Sequence, residues 1–458
     1  MYSEGLSKMR STAVVASGTV HATTARSGLV FGVSSPGEAA VVNSRGQDEY
    51  RRERLGFRQC PADEGPIEIS EITYSGLNTF AGVAHAQCFQ KDNDSHSTKR
   101  YDIAVLGAPL DTTVTGRPGA RYGPSAIRAG SLRKAWGFDT YTGRDPLKGW
   151  ARVVDCGDAP MTWLDNRAAI KTLDQAHRLT AARPPADDSK SHVPRIVTLG
   201  GDHTTTLSAL RGTYDNWGHV SVVHFDSHIG ELDPDAACCS NTAFSAYAKN
   251  FLKIRGIPKF LLTRRVGGGV SDYAYAPMCR EEFQADAFHR GLNHGTFLHV
   301  AHEEGLIRNS SIHVGIRASL NRREGDMKND RRCGFATITA RDLDTCGVQG
   351  VVDQIRNRVK DTQVYITVDI DVLDPAFAPA TGTPEVGGWS TRELLAILEG
   401  LGGLKIVGAD VVEVSPPFDN HGETTALAAA EIVHSLIDLM VLTPASLAEY
   451  LSTARRPS

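Results

Sequence analysis

Six short runs of β-branched and other apolar residues restrict the chain most. They are YDIAVLG (Tyr101–Gly107), RIVTLGG (Arg195–Gly201), VSVVHFD (Val220–Asp226), SIHVGIR (Ser311–Arg317), VYITVDID (Val364–Asp371) and KIVGADVVEV (Lys405–Val414). Runs of this kind suit strands buried on both faces. Between them lie helical patterns: AAIKTLDQAHRL (Ala168–Leu179), VVDQIRNRV (Val351–Val359), STRELLAILEGL (Ser390–Leu401) and ALAAAEIVHSLIDLM (Ala426–Met440). Strands alternating with helices predict a parallel α/β sheet.

Two stretches break the rhythm. Residues 1–99 are rich in Gly, Ser and Ala, then polar, without a sustained period, and predict a poorly ordered extension before a domain at 100–445 and a tail at 446–458. Residues 230–290 show no alternation, although long structureless stretches are uncommon inside a compact domain. Two origins compete: a genuine insertion that lids the active site, or non-native translated sequence such as a retained intron. The adjacent Cys238 and Cys239 and the low periodicity favour the second.

Composition narrows the partners. Acids and bases are mixed and the formal net charge is −4, so nothing calls for a nucleic acid or an anionic membrane. No stretch approaches the roughly 20 apolar residues that span a bilayer. The eight cysteines form no C-x-x-C pair and are expected to be mostly reduced thiols. The expected compartment is the cytoplasm; the Ser-, Thr- and Arg-rich N-terminus also weakly resembles a mitochondrial transit peptide.

Three clusters sit at the C-terminal ends of predicted strands, where open α/β sheets place their ligand sites. In GGDHT (Gly200–Thr204) the glycines allow a tight exit and His203 projects over the sheet end. In HFDSH (His224–His228), Asp226 and His228 are two apart on the strand and therefore face one side together. In DIDVLDP (Asp369–Pro375), Asp369 and Asp371 share a face at the end of a very apolar run. Two buried carboxylates so close repel unless a cation lies between them. Two histidines and three aspartates can build two metal sites with shared carboxylates that activate water. Two further residues are candidates: His294, in a glycine-flanked loop, to move protons, and Glu413, at a strand end, to pair with a cationic group.

With NHGTF (Asn293–Phe297), GADVVEVSPPFD (Gly408–Asp419) and the loop GAPLDTTVTGRPGARYGPSAIR (Gly107–Arg128), these motifs resemble the arginase/agmatinase (ureohydrolase) family, in that family's order, from about Tyr101 to Met440. The resemblance implies an arginase-like three-layer α/β/α fold around an eight-stranded parallel sheet. It implies a homo-oligomer, trimer or hexamer. His203, Asp226, His228, Asp369 and Asp371 would bind two Mn2+, with Asp226 and Asp369 bridging. His294 would be the acid/base and Glu413 would hold the guanidinium of a small cationic guanidino substrate, which is split to urea and an amine. Agmatine, giving putrescine, is the first expected substrate, and 4-guanidinobutyrate the second. One position departs: the family's D-x-H-x-D ends here in Gly230, which offers no ligand. The resemblance therefore leaves room for a weakly active or inactive member: Glu231 points the other way if the strand continues, and Asp233 or Asp235 reaches the site only if the chain bends.

Overall fold

The predicted strands form, joined by two more. The sheet consists of β1 (Ile103–Ala108), β2 (Val153–Asp158), β3 (Arg195–Gly200), β4 (Ser221–Phe225), β5 (Ser311–Ile316), β6 (Phe335–Thr339), β7 (Gln363–Asp369) and β8 (Lys405–Val412). In the computed structural model every neighbouring pair is parallel, in the order β2-β1-β3-β8-β7-β4-β5-β6. The structure describes residues 76–89, 100–134, 137–230, 291–320 and 322–445, all within the compact unit that starts at Glu71. The irregular stretch after Gly230, with Asp233 and Asp235, and most of the N-terminal extension lie outside the described residues.

The two-residue period of the strands divides the core. Ile103 and Val105 of β1 join one apolar cluster, while Ala104 and Leu106 join another. Helices α1 (Gly123–Ser131), α6 (Asp342–Val359), α7 (Thr391–Gly400) and α8 (Thr424–Leu442) pack into the first cluster. Helices α2 (Asn166–Ala181), α3 (Thr205–Trp217) and α4 (Phe297–Glu303) pack with the opposite residues, and α5 (Arg323–Arg332) lies against β6. Local signals set the helix starts. Asp165 accepts from the backbone N–H groups of Arg167 and Ala168, and Ser390 with Glu393 forms a capping box.

Two expectations are corrected and one is narrowed. The packed domain begins before Tyr101: Phe80, Ala86 and Cys88 are buried, and backbone hydrogen bonds tie residues 84 and 86 to Asp155 along the outer edge of β2. That segment supplies the apolar side chains and donors that an uncovered edge strand needs. The expectation of mostly reduced thiols is narrowed by one pair: Cys88 and Cys156 form a disulfide with a Cα–Cα distance of 5.5 Å, while Cys333 and Cys346 are reduced thiols. Finally, α8 is a 19-residue helix of mean hydropathy 1.7, long and apolar enough to cross a bilayer by composition. Here it is a core helix, packed on α1, α7 and β8.

A candidate metal centre at the strand ends

Four strands that are scattered in sequence, β3, β8, β7 and β4, are consecutive neighbours at the centre of the sheet. Register aligns their ends: Asp369 pairs with Val412, and Val368 with Phe225. The residues that follow therefore meet over one spot. His203 leaves β3 through Gly201, where a Cβ would collide with the Leu110 backbone, so only glycine lets that loop approach. The backbone N–H of His203 donates to Glu413 Oε1 (2.9 Å), locking the exit of β3 to that of β8.

All seven predicted site residues come together. His203 Nδ1 lies 3.1 Å from Asp226 Oδ2 and 3.2 Å from Asp369 Oδ2. His228 Nδ1 lies 3.0 Å from Asp371 Oδ2 and 3.3 Å from Asp226 Oδ1. His294 Nδ1 lies 3.0 Å from Glu413 Oε1, and Thr115 N–H and its hydroxyl lie 2.9 and 2.7 Å from Nε2. The local reason differs from the expected one. Strand β4 ends at Phe225, so Asp226 and His228 do not share a pleat; the His228 N–H donates to Asp226 Oδ1 (2.6 Å) in a tight turn. Asp371 likewise sits in a 3-10 turn, where its N–H donates to Asp369 Oδ1 (2.8 Å). Gly230 is off the strand too, at φ +62°, between Phe297 and His224.

The electrostatics ask for a cation. Asp369 is held well above the usual carboxylate range by burial and by its neighbours Asp371 and Asp226. Asp371 is raised by burial and Asp226. Burial alone would lower His203 and His228, but the facing aspartates outweigh it: His203 is raised, and His228 is pushed up to about 12. Burial would also raise Asp226, and the imidazoles around it hold it well below the usual range instead. Protons are thus crowded onto groups that face one another, where divalent ions would displace them. Among the described residues two groups have donor atoms within 4.8 Å of one another, His203/His224/Asp226 and Asp226/His228/Asp371, and they share Asp226. This hard carboxylate and imidazole set fits a first-row divalent metal.

Sequence reading missed several members. His224 carries the same two-residue spacing to Asp226 that singled out His228, and that spacing was the available signal. Asp202, raised to about 6 by burial and Glu413, accepts from the N–H and hydroxyl of Thr113. Arg317 donates to the carbonyls of Asp371 (2.6 Å) and Glu385 (2.7 Å), fixing the loop after β7. Asp202 lies inside the GGDHT motif beside His203, whereas Arg317 has no local signature.

An eight-stranded parallel α/β/α sheet with an imidazole and carboxylate cluster over its central strand ends defines an arginase-type hydrolase. The model of the Arginase family matches residues 101–251 and 282–438, and the chain belongs to that family of ureohydrolases. Residues 252–281, within the irregular stretch, fall outside the match. The Schizosaccharomyces pombe protein named "Putative agmatinase 1" is 40% identical over 386 residues, 82% of this chain and 85% of that one. The agmatinase of Citrobacter koseri is 33% identical over 337 residues, 73% of this chain and 86% of its own. Among solved structures, proclavaminate amidino hydrolase from Streptomyces clavuligerus superposes with a TM-score of 0.61 at 30% identity, over 81% of this chain and all of its own.

Proposed function

We propose that this ureohydrolase hydrolyses agmatine to putrescine and urea with two Mn2+ held by His203, Asp226, His228, Asp369 and Asp371. The observation that carries the reading is Glu413. It is buried, it sits in the left-handed backbone region at φ +62°, and only one of its oxygens is satisfied. Oε1 takes the His203 N–H and His294 Nδ1, while Oε2 has no hydrogen-bond partner. A buried carboxylate oxygen without a donor is costly, and strain of this kind gathers at functional sites. A guanidinium, planar and rich in N–H groups, satisfies it. The relatives named agmatinase support agmatine among guanidino compounds.

When bound, the ions supply Lewis-acid charge and lower the pKa of water towards 7. The chain's own residues do the rest. Glu413 Oε2 accepts from the guanidinium and sets its carbon over the cluster. His294 is positioned from both sides: Thr115 N–H donates to Nε2, so the neutral ring keeps its proton on Nδ1 towards Glu413. The Glu413 contact also raises the basicity of His294 against the opposing effect of burial. Once Thr115 yields, Nε2 takes a proton from the water whose oxygen bonds to the guanidino carbon and returns it to the amine nitrogen as the carbon–nitrogen bond breaks. Water oxygen ends on the guanidino carbon, giving urea and the free amine. The family relationship further supports a homo-oligomer, read out by light scattering.

The test is urea release from Mn2+-loaded protein given agmatine, 4-guanidinobutyrate and arginine side by side, with manganese counted per chain. Agmatine turnover with about two ions per chain is expected. Preference for either other substrate, or no urea from any, overturns the assignment.

A further inference from the structure

We propose that His224 is itself a metal ligand in this chain, its Nε2 supplying the donor that position 230 lacks; the inference rests on the metal centre proposed above. His224 is fully buried. Its Nε2 lies 2.9 Å from Asp226 Oδ2 yet makes no hydrogen bond. It belongs with His203 and Asp226 to one of the two groups whose donor atoms cluster tightly enough for an ion.

The hydrogen-bond network decides which nitrogen carries the proton. Asp330, itself buried, accepts from His313 Nε2 (2.8 Å). With its Nε2 donating to Asp330, His313 turns its other nitrogen towards His224 Nδ1, 2.7 Å away. Nδ1 is thus engaged by His313, and with Nδ1 as the donor in that contact Nε2 turns a lone pair to a carboxylate oxygen. Two acceptors at that distance repel unless a cation joins them.

His203 is built the same way. Its Nε2 pairs with the Thr367 hydroxyl (2.9 Å), which donates to buried Asp410, and this leaves Nδ1 facing the cluster. Metal-binding histidines commonly use their second ring nitrogen in such relays ending on a carboxylate. Here two adjacent imidazoles have one each. Phe297 holds both rings, stacked on His203 at 4.3 Å and edge-on to His224 at 5.9 Å. A Cβ at Gly230 would lie 3.4 Å from His224 Cε1, so the ring borders the space a side chain at 230 would enter.

The test begins with the full wild-type chain loaded with Mn2+ alone. X-ray absorption and pulsed electron resonance count the bound imidazoles. Three imidazoles per two ions are expected, and two per two ions overturn the proposal. Two variants then follow by titration with manganese. His224→Phe should lose one of the two ions. His313→Gln, which breaks the relay, should weaken that same ion about 10–100-fold. Unchanged affinity for both ions in both variants also overturns the proposal, and the wild-type imidazole count decides the matter if His224→Phe fails to fold. A wild-type chain that binds no manganese removes the metal centre and this inference together, whereas two ions with one imidazole each remove the inference alone.

Discussion

Replacing Asp369 by Asn should stabilise the metal-free protein while abolishing its function. The isosteric amide keeps the Oδ1 that accepts from the Asp371 N–H, and its Nδ2 can donate to His203 Nδ1 in place of the shared proton. What it removes is one of three buried carboxylates at one spot. Two charges about 5 Å apart at an effective dielectric near 20 repel by roughly 3 kcal/mol, which bounds the gain. The sign follows from the direction of the shift. Asp369 is raised, so in the wild type its contribution is intact below the unfolded value and is lost as pH rises. The variant escapes that loss. It should therefore gain about 1–3 kcal/mol at neutral pH, or a few degrees in melting temperature, and almost nothing near pH 4. Manganese should reverse the ranking, because a ligand at one hundred times its Kd adds about 2.7 kcal/mol to the wild type and much less to the variant. Calorimetry of chelated and Mn2+-loaded proteins at pH 4.5, 6 and 7.5, with urea release alongside, measures each part. A metal-free variant that melts below the wild type at pH 7.5 would refute the electrostatic reasoning. Retained turnover would refute the metal assignment.

Two further perturbations separate binding from scaffold. Glu413→Gln keeps an acceptor for His203 N–H but removes the charge facing the guanidinium. A buried charged partner is worth about 3–5 kcal/mol, so kcat/KM should fall by roughly 10²–10⁴ with manganese content unchanged; a loss under tenfold in steady-state kinetics would exclude Glu413 as the guanidinium anchor. Cys88→Ser opens a link across 68 residues of sequence, for which chain entropy predicts a loss of about 4 kcal/mol. Urea denaturation under oxidising conditions measures it, and a midpoint equal to that of the wild type would mean the bond does not constrain the unfolded chain.

What the sequence disclosed follows from where each signal originates. Strands β1, β3, β4, β5, β7 and β8 were legible because interior strands must be apolar on both faces, whatever their neighbours. The two strands not foreseen, β2 and β6, are the two edges of the sheet. Edge position relaxes the apolar demand: β2 ends in the carboxylate of Asp158, and Ala336 and Thr337 of β6 are partly exposed. The metal-type side chains were legible for a related reason, since a carboxylate directly after an apolar run needs a counter-charge. Two-residue spacing named the right neighbours, although turns rather than pleats bring Asp226 to His228 and Asp369 to Asp371. Applied one step earlier, the same spacing would have reached His224. The partners that complete the site have no local signature, because they are matched only in three dimensions. His313 meets His224 across 89 residues, Asp410 meets Thr367 across 43, and Thr115 meets His294 across 179. Each sits on a different strand or loop from its partner, so their chemistry becomes visible only once strand order is known. That division has a physical basis. The chain encodes the imidazoles and carboxylates in single strands, and it brings them together and orients them through contacts that strand order alone creates.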